Sequence, residues 1–183
     1  SVGAGCSDEP AIVGSWREHV NAFHEAGRPA RVLTFLADGR IIQSGTSLPG
    51  TYTVAGDRVT IVTPRDDASP YSKTMAFSAS DTHLVLDVMT SDDAGDALIG
   101  TWRGVSVENE LSYATTVTLR ADQTGHFESV STPSLSRISA EASWQQQGDD
   151  VAVRATVSSD VIVMHYATRV DGVLGTSFQR LEP

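Results

Sequence analysis

The chain has 183 residues, 40% of them hydrophobic, with a formal net charge of −10 and a pI near 4.7. That length supports one domain of ordinary size or two small ones. The acidity argues against a nucleic-acid partner, which calls for basic patches, and no window holds the roughly 18 apolar residues of a membrane helix. Residues 1–92 carry 7 basic and 11 acidic side chains and residues 93–183 carry 6 and 12, so neither half is an acidic tail. Lys73 is the only lysine among the thirteen basic residues, a bias in keeping with a GC-rich genome.

Residues 1–10 are small and polar and read as a disordered leader or tether. Cys6 is the single cysteine, which excludes an internal disulfide and a cysteine metal cluster. The small residues before Cys6 resemble the end of a bacterial lipoprotein signal, although Gly3 stands where a leucine is usual. That resemblance implies a lipid on Cys6 and an extracytoplasmic protein in the periplasm, the cell envelope or the medium.

Strand signals follow at short intervals. Gly14-Ser15-Trp16-Arg17 opens the first. His19 to Ala26 is compatible with one turn of helix. Residues 30–36, rich in β-branched and aromatic side chains, stop at Ala37-Asp38-Gly39 and form a hairpin with residues 40–44. Residues 50–55 and 58–63 flank the Gly56-Asp57 turn, and residues 73–78 and 83–89 make a further pair. After a polar linker at 91–97, Gly100-Thr101-Trp102-Arg103 opens a second series. Residues 116–120 and 150–157 alternate apolar and polar, the mark of a strand with one buried face. Residues 161–168 and 175–181 complete the set. The expected fold is all-β, two tandem antiparallel up-and-down barrels or half-barrels, with repeats at 11–90 and 98–183.

The two series share landmarks in one order. Trp16 and Trp102 lie 86 positions apart, Asp38 and Asp122 84, and Gly56 and Gly148 92. Tyr52 matches Trp144. Such self-similarity predicts a repeat architecture. The Gly-x-Trp opening, the strand ending in Asp-Gly, the Gly-x-Tyr strand and the closing Ser177-Phe178-Gln179-Arg180 resemble the small bacterial lipocalin-like domains. The resemblance implies that Trp16 and Trp102 plug barrel ends and that Arg180 stacks over Trp102. The first copy has no Phe-x-Arg strand of its own. It is therefore incomplete, or takes a strand from elsewhere, or joins the second copy in one larger sheet.

Chemical motifs are few. His19 and His24 bracket a polar segment, but two histidines five apart fit neither a helix face nor a strand face as a zinc site. Asp92, Asp93 and Asp96 lack EF-hand spacing. Nucleophile elbows and phosphate-cradling glycine patterns are missing. No metal or cofactor is expected. His165 alternates in register with Val161 and Val163 and points inward, as a core residue or a pocket wall. Tyr52 and Trp144 are pocket wall or core. The expected function is non-enzymatic binding of a small, hydrophobic ligand or of an envelope protein partner, with Tyr52, Trp144 and His165 as ligand-binding candidates. The alternatives are a hydrolase or isomerase using His165 or His126 as general base, and a structural or interaction module of the envelope.

Overall fold

A computed structural model describes residues 10–66, 69–93 and 97–182. The described residues form strands, turns and loops, without helix. The first seven strands are β1 (Gly14–Glu18), β2 (Val32–Phe35), β3 (Arg40–Gln43), β4 (Gly50–Ala55), β5 (Arg58–Thr63), β6 (Tyr71–Ala79) and β7 (His83–Ser91). The other seven are β8 (Gly100–Glu108), β9 (Leu111–Leu119), β10 (Thr124–Thr132), β11 (Arg137–Gln147), β12 (Asp150–Ser158), β13 (Val161–Val170) and β14 (Val173–Arg180). Each pairs antiparallel with its neighbour in the chain, and β14 returns to pair with β1, so the ring is closed. Closure leaves few free edges, which otherwise template aggregation.

One extra pairing pinches the ring. β7 and β14 run side by side from His83↔Gln179 to Met89↔Leu174. On its other edge β14 gives Val173–Gly175 to β13 and Phe178–Arg180 to β1. β7 likewise gives Leu84–Leu86 to β6 and Thr90–Ser91 to β8. The result is two eight-stranded barrels sharing two strands. The first contains β1 to β7 and the end of β14, and the second contains β8 to β14 and the end of β7. The missing closing strand of the first series is thus supplied by the last residues of the chain. β6 also pairs with β8, through Lys73↔Glu108 to Met75↔Ser106, and carries the sheet across the waist.

Each barrel has its own core. Trp16, Phe35, Val59, Leu84 and Phe178 are buried together in the first, and Trp102, Leu119, Val117, Val151 and Leu174 in the second. Phe178 belongs to β14 yet fills the first barrel. Met89 belongs to β7 yet packs in the second. At roughly 1.5–3 kcal/mol per buried large apolar side chain, these exchanged residues tie the barrels together more firmly than any linker.

The barrel ends repeat one geometry. The Trp16 indole N–H donates to the Ile12 carbonyl at 2.8 Å, and that of Trp102 to Leu98 at 2.9 Å. Gly14 and Gly100 precede them with φ of 136° and 139°, a region closed to side chains. Tyr52 Oη donates to the Leu36 carbonyl at 2.7 Å, and Trp144 Nε1 to the Arg120 carbonyl at 2.9 Å. Two expectations need correcting. Arg180 lies over Trp16, its Cζ 4.5 Å from the ring centroid, and not over Trp102. The reason is that β14 pairs Arg180 with Trp16, while Ser91 of β7 is the strand partner of Trp102. The stretch from His19 to Ala26 forms turns and no helix.

Candidate functional site

The shared strands are distorted where they cross. Between Leu174↔Met89 and Thr176↔Leu86, Asp87 and Val88 face the single residue Gly175, which is a β-bulge. Asp87 takes a φ of 54°, uncommon for a residue with a side chain. A Cβ on Gly175 would sit 2.6 Å from the Leu86 carbonyl oxygen, so only glycine permits this approach. The bulge turns Asp87 toward Lys73 of β6. Lys73 Nζ donates to Asp87 Oδ2 at 2.6 Å and lies 3.8 Å from Glu108 Oε1.

Three cavities meet at this point, and Thr176 lines all of them. A cavity of about 170 Å³ lies within the first barrel. Its wall is apolar, with Leu33, Ile41, Ile61, Met75, Leu86 and Phe178, and its rim carries Arg31, Tyr71, Lys73 and Asp87. A second, of about 300 Å³, opens toward the second barrel between Lys73, Asp87, Gly104, Ser106, Thr115 and His165. The third, of about 220 Å³, lies under the loop after β1, against Glu18, Arg28, Arg31 and His165.

That loop straps the first barrel onto the second. His19 Nε2 lies 2.8 and 3.0 Å from the two oxygens of buried Asp150. The same carboxylate accepts from the Ala22 N–H and the Thr168 hydroxyl. Asn21 Nδ2 donates to the carbonyls of Ala167 and Val151. The His24 ring lies 4.2 Å from that of Tyr166. Burial, followed by the nearby Arg28 charge, holds the His24 pKa below its ordinary value. At the base of the strap buried Glu18 accepts from both Arg28 and Arg31. Two guanidiniums on one carboxylate leave a surplus positive charge at the cavity rim. Arg31 Cζ also lies 5.7 Å from the Phe178 ring centroid.

His165 is half-buried on the wall between two of the cavities. Burial lowers its pKa, Asp87 opposes that and Lys73 adds to it, so the ring is held neutral at physiological pH. Its ring lies 6.3 Å from that of Phe127. Tyr71 on the rim has its pKa pushed up to about 12 by burial and then by Glu108. Arg65 Cζ stands 5.0 Å from the Tyr71 ring centroid. Arg31 and Lys73 therefore share the chamber's rim in a chain whose net charge is −10, with Arg65 beside the rim's Tyr71 and Arg28 lining the neighbouring cavity with Arg31.

Of the residues singled out from sequence, His165 lines the junction cavities. Tyr52 and Trp144 do not line them; both are buried in the cores, with their polar atoms on backbone carbonyls. Trp16 and Trp102 are buried at the barrel ends. His126 sits on an exposed face, 3.1 Å from Glu141 and 3.0 Å from Ser139. Cys6 and Asp96 lie outside the described residues. Among the described residues no three His, Cys, Asp or Glu side chains converge as a metal site, and no helix is long and apolar enough to cross a membrane. Sequence reasoning missed Lys73, Asp87 and Arg31. The lone lysine was the available signal. No protein-family model, curated protein or solved structure matches the chain.

Proposed function

We propose that this is a non-enzymatic binding protein for a small amphipathic molecule. The ligand's apolar part occupies the first barrel's chamber, and its polar end meets Lys73, Arg31 and Tyr71 at the mouth. The observation that carries the reading is an apolar chamber edged by a few converging polar groups, the usual composition of a ligand site. The histidine that meets an acid, His126 beside Glu141, does not line the chamber, so the geometry favours binding over acid–base catalysis. Extracytoplasmic placement, with Cys6 as the lipid attachment point, belongs to the same proposal. So does descent of both halves from one duplicated lipocalin-like module, which the matched indole and turn geometries support.

Native mass spectrometry of protein purified from its own host tests this. The expected result is a co-purifying small molecule that is lost when Ile61→Trp fills the chamber. A variant that retains the bound mass, or a wild type that binds no amphipathic compound from a panel, would overturn the assignment.

A further inference from the structure

We propose that Lys73 captures carbonyl compounds, forming an imine with a short aliphatic aldehyde whose chain enters the first barrel's chamber. The inference rests on the ligand-binding reading above and names the ligand's chemistry. Lys73 is the only lysine in 183 residues. Its side chain is 23% exposed and lines both the 170 Å³ chamber and the 300 Å³ cavity beside it. Elsewhere the chain places arginine where it needs positive charge. A guanidinium at this position would supply charge equally well, but it keeps its proton. Only an amine can shed one and attack a carbonyl carbon.

The surroundings suit both ends of that reaction. Asp87 Oδ2 at 2.6 Å and Glu108 Oε1 at 3.8 Å neutralise the ammonium. A protonated imine carries the same single positive charge on the same nitrogen, so these ion pairs survive the reaction. Asp87 is aimed at Lys73 by the bulge opposite Gly175. The group within reach of the lysine's proton is Asp87, whose Oδ2 already accepts from Nζ. The ammonium gives one proton to Asp87 Oδ2, 2.6 Å away. The freed lone pair then forms the C–N bond as the carbonyl π bond opens, giving a carbinolamine. The carbinolamine oxygen leaves as water, taking the proton back from Asp87, and a C=N bond remains. Amine and aldehyde become imine and water, with no change of oxidation state.

The chamber sets the length of the chain. At roughly 30 Å³ per water-sized group, 170 Å³ holds about six such groups. The apolar wall of Met75, Leu86 and Phe178 takes the hydrocarbon, and the rim holds the reacting carbon at Nζ.

The test uses the full chain, hexanal as probe and cyanoborohydride to trap the imine. Intact mass and peptide mapping are expected to show a hexyl group on Lys73 before any on N-α-acetyl-lysine added as the unassisted amine. Lys73→Arg is expected to lose the Lys73 adduct completely while keeping the charge. Excess hexan-1-ol, with the same chain and no carbonyl, is expected to suppress labelling in wild type, a readout independent of how the variant folds. Labelling no faster at Lys73 than on the added N-α-acetyl-lysine, or equal at Lys73 in urea-unfolded protein, overturns the proposal. If calorimetry shows hexan-1-ol binding that Ile61→Trp abolishes, yet hexanal leaves no Lys73 adduct, imine capture falls and the chamber reading stands. If hexan-1-ol does not bind, or does not compete, both fall.

Discussion

The two barrels close over the same indole plug with the same bonds, yet they are finished differently. At the first, a guanidinium from the chain's far end covers Trp16, and Arg180 Nη2 donates to the Ala11 and Val13 carbonyls. At the second, Ser91 stands at the matching strand position, and the Asp93 carboxylate crowds Gly100, 2.5 Å from where a Cβ would sit. The interiors differ too. The first barrel holds an apolar chamber with a charged rim, while the cavity toward the second is lined by Gly104, Ser106, Thr115 and His165. The same frame therefore carries two environments, set by which shared strand supplies the last turn of each wall.

Phe178→Ala has the largest expected effect. It is expected to cost about 3–5 kcal/mol in urea unfolding. Hydrogen exchange is expected to show the loss in β1 and β2 while β9 and β10 keep their protection. Loss confined to β12 and β13 would mean that Phe178 serves the second barrel instead. Next comes Glu18→Gln, which leaves Arg28 and Arg31 without their buried partner. Because both guanidiniums are partly exposed, the expected cost is about 3 kcal/mol, the low end for a broken buried pair. Chemical denaturation at two salt concentrations checks it, since a surface pair would weaken with salt and this one should change little.

Gly175→Ala sharpens the shared-strand claim. The new methyl meets the Leu86 carbonyl and the Val85 side chain, each at 2.6 Å, so a loss of about 1–3 kcal/mol is expected. Both barrels should lose protection together, because the wall is common. Arg180→Met removes the stacked cation from Trp16 and is expected to cost about 0.5–1 kcal/mol. Indole fluorescence should shift for Trp16 and stay unchanged for Trp102, read in single-tryptophan backgrounds. The smallest effect is a pH slope. His165 and His24 have folded pKa values below the ordinary 6.5. The unfolded chain therefore binds more protons as pH falls below about 6.5. Stability should be flat above that value and decline toward acid, and His165→Gln should flatten part of the decline in a series of thermal melts.

Much of the wall pattern was readable in the amino-acid order. Val151, Val153 and Ala155 fall on the inward positions of a period-2 pattern and are buried, while Val157, expected inward on the same pattern, is exposed and Ala152 between them is buried. The Gly-x-Trp pairs marked the plugs. What could not be read was which barrel Phe178 and Arg180 would serve. Their motif suits either plug, and the choice rests on the β7–β14 pairing between segments some ninety residues apart. The candidate site was hidden for the same reason. Lys73, Asp87 and Arg31 belong to three strands or loops, and only the bulge at Gly175 turns Asp87 toward the lysine. His165 was legible because a period-2 pattern alone predicts which way it points. Tyr52 and Trp144 read from sequence as pocket wall or core, and both lie in the cores. Their hydroxyl and indole N–H go to carbonyls one hairpin away.

The pairing of Trp16 with Arg180 spans nearly the whole chain. During synthesis the amino-terminal wall stands open until Phe178–Arg180 have cleared the ribosome, because β1 has to wait for that partner. Its apolar lining must meanwhile be shielded by collapse or by a chaperone. Maturation is then a single late event, with both lobes locking together, and such long-range closure belongs with slow-folding topologies. Ending the chain before Phe178 would accordingly leave β1 without its closing partner.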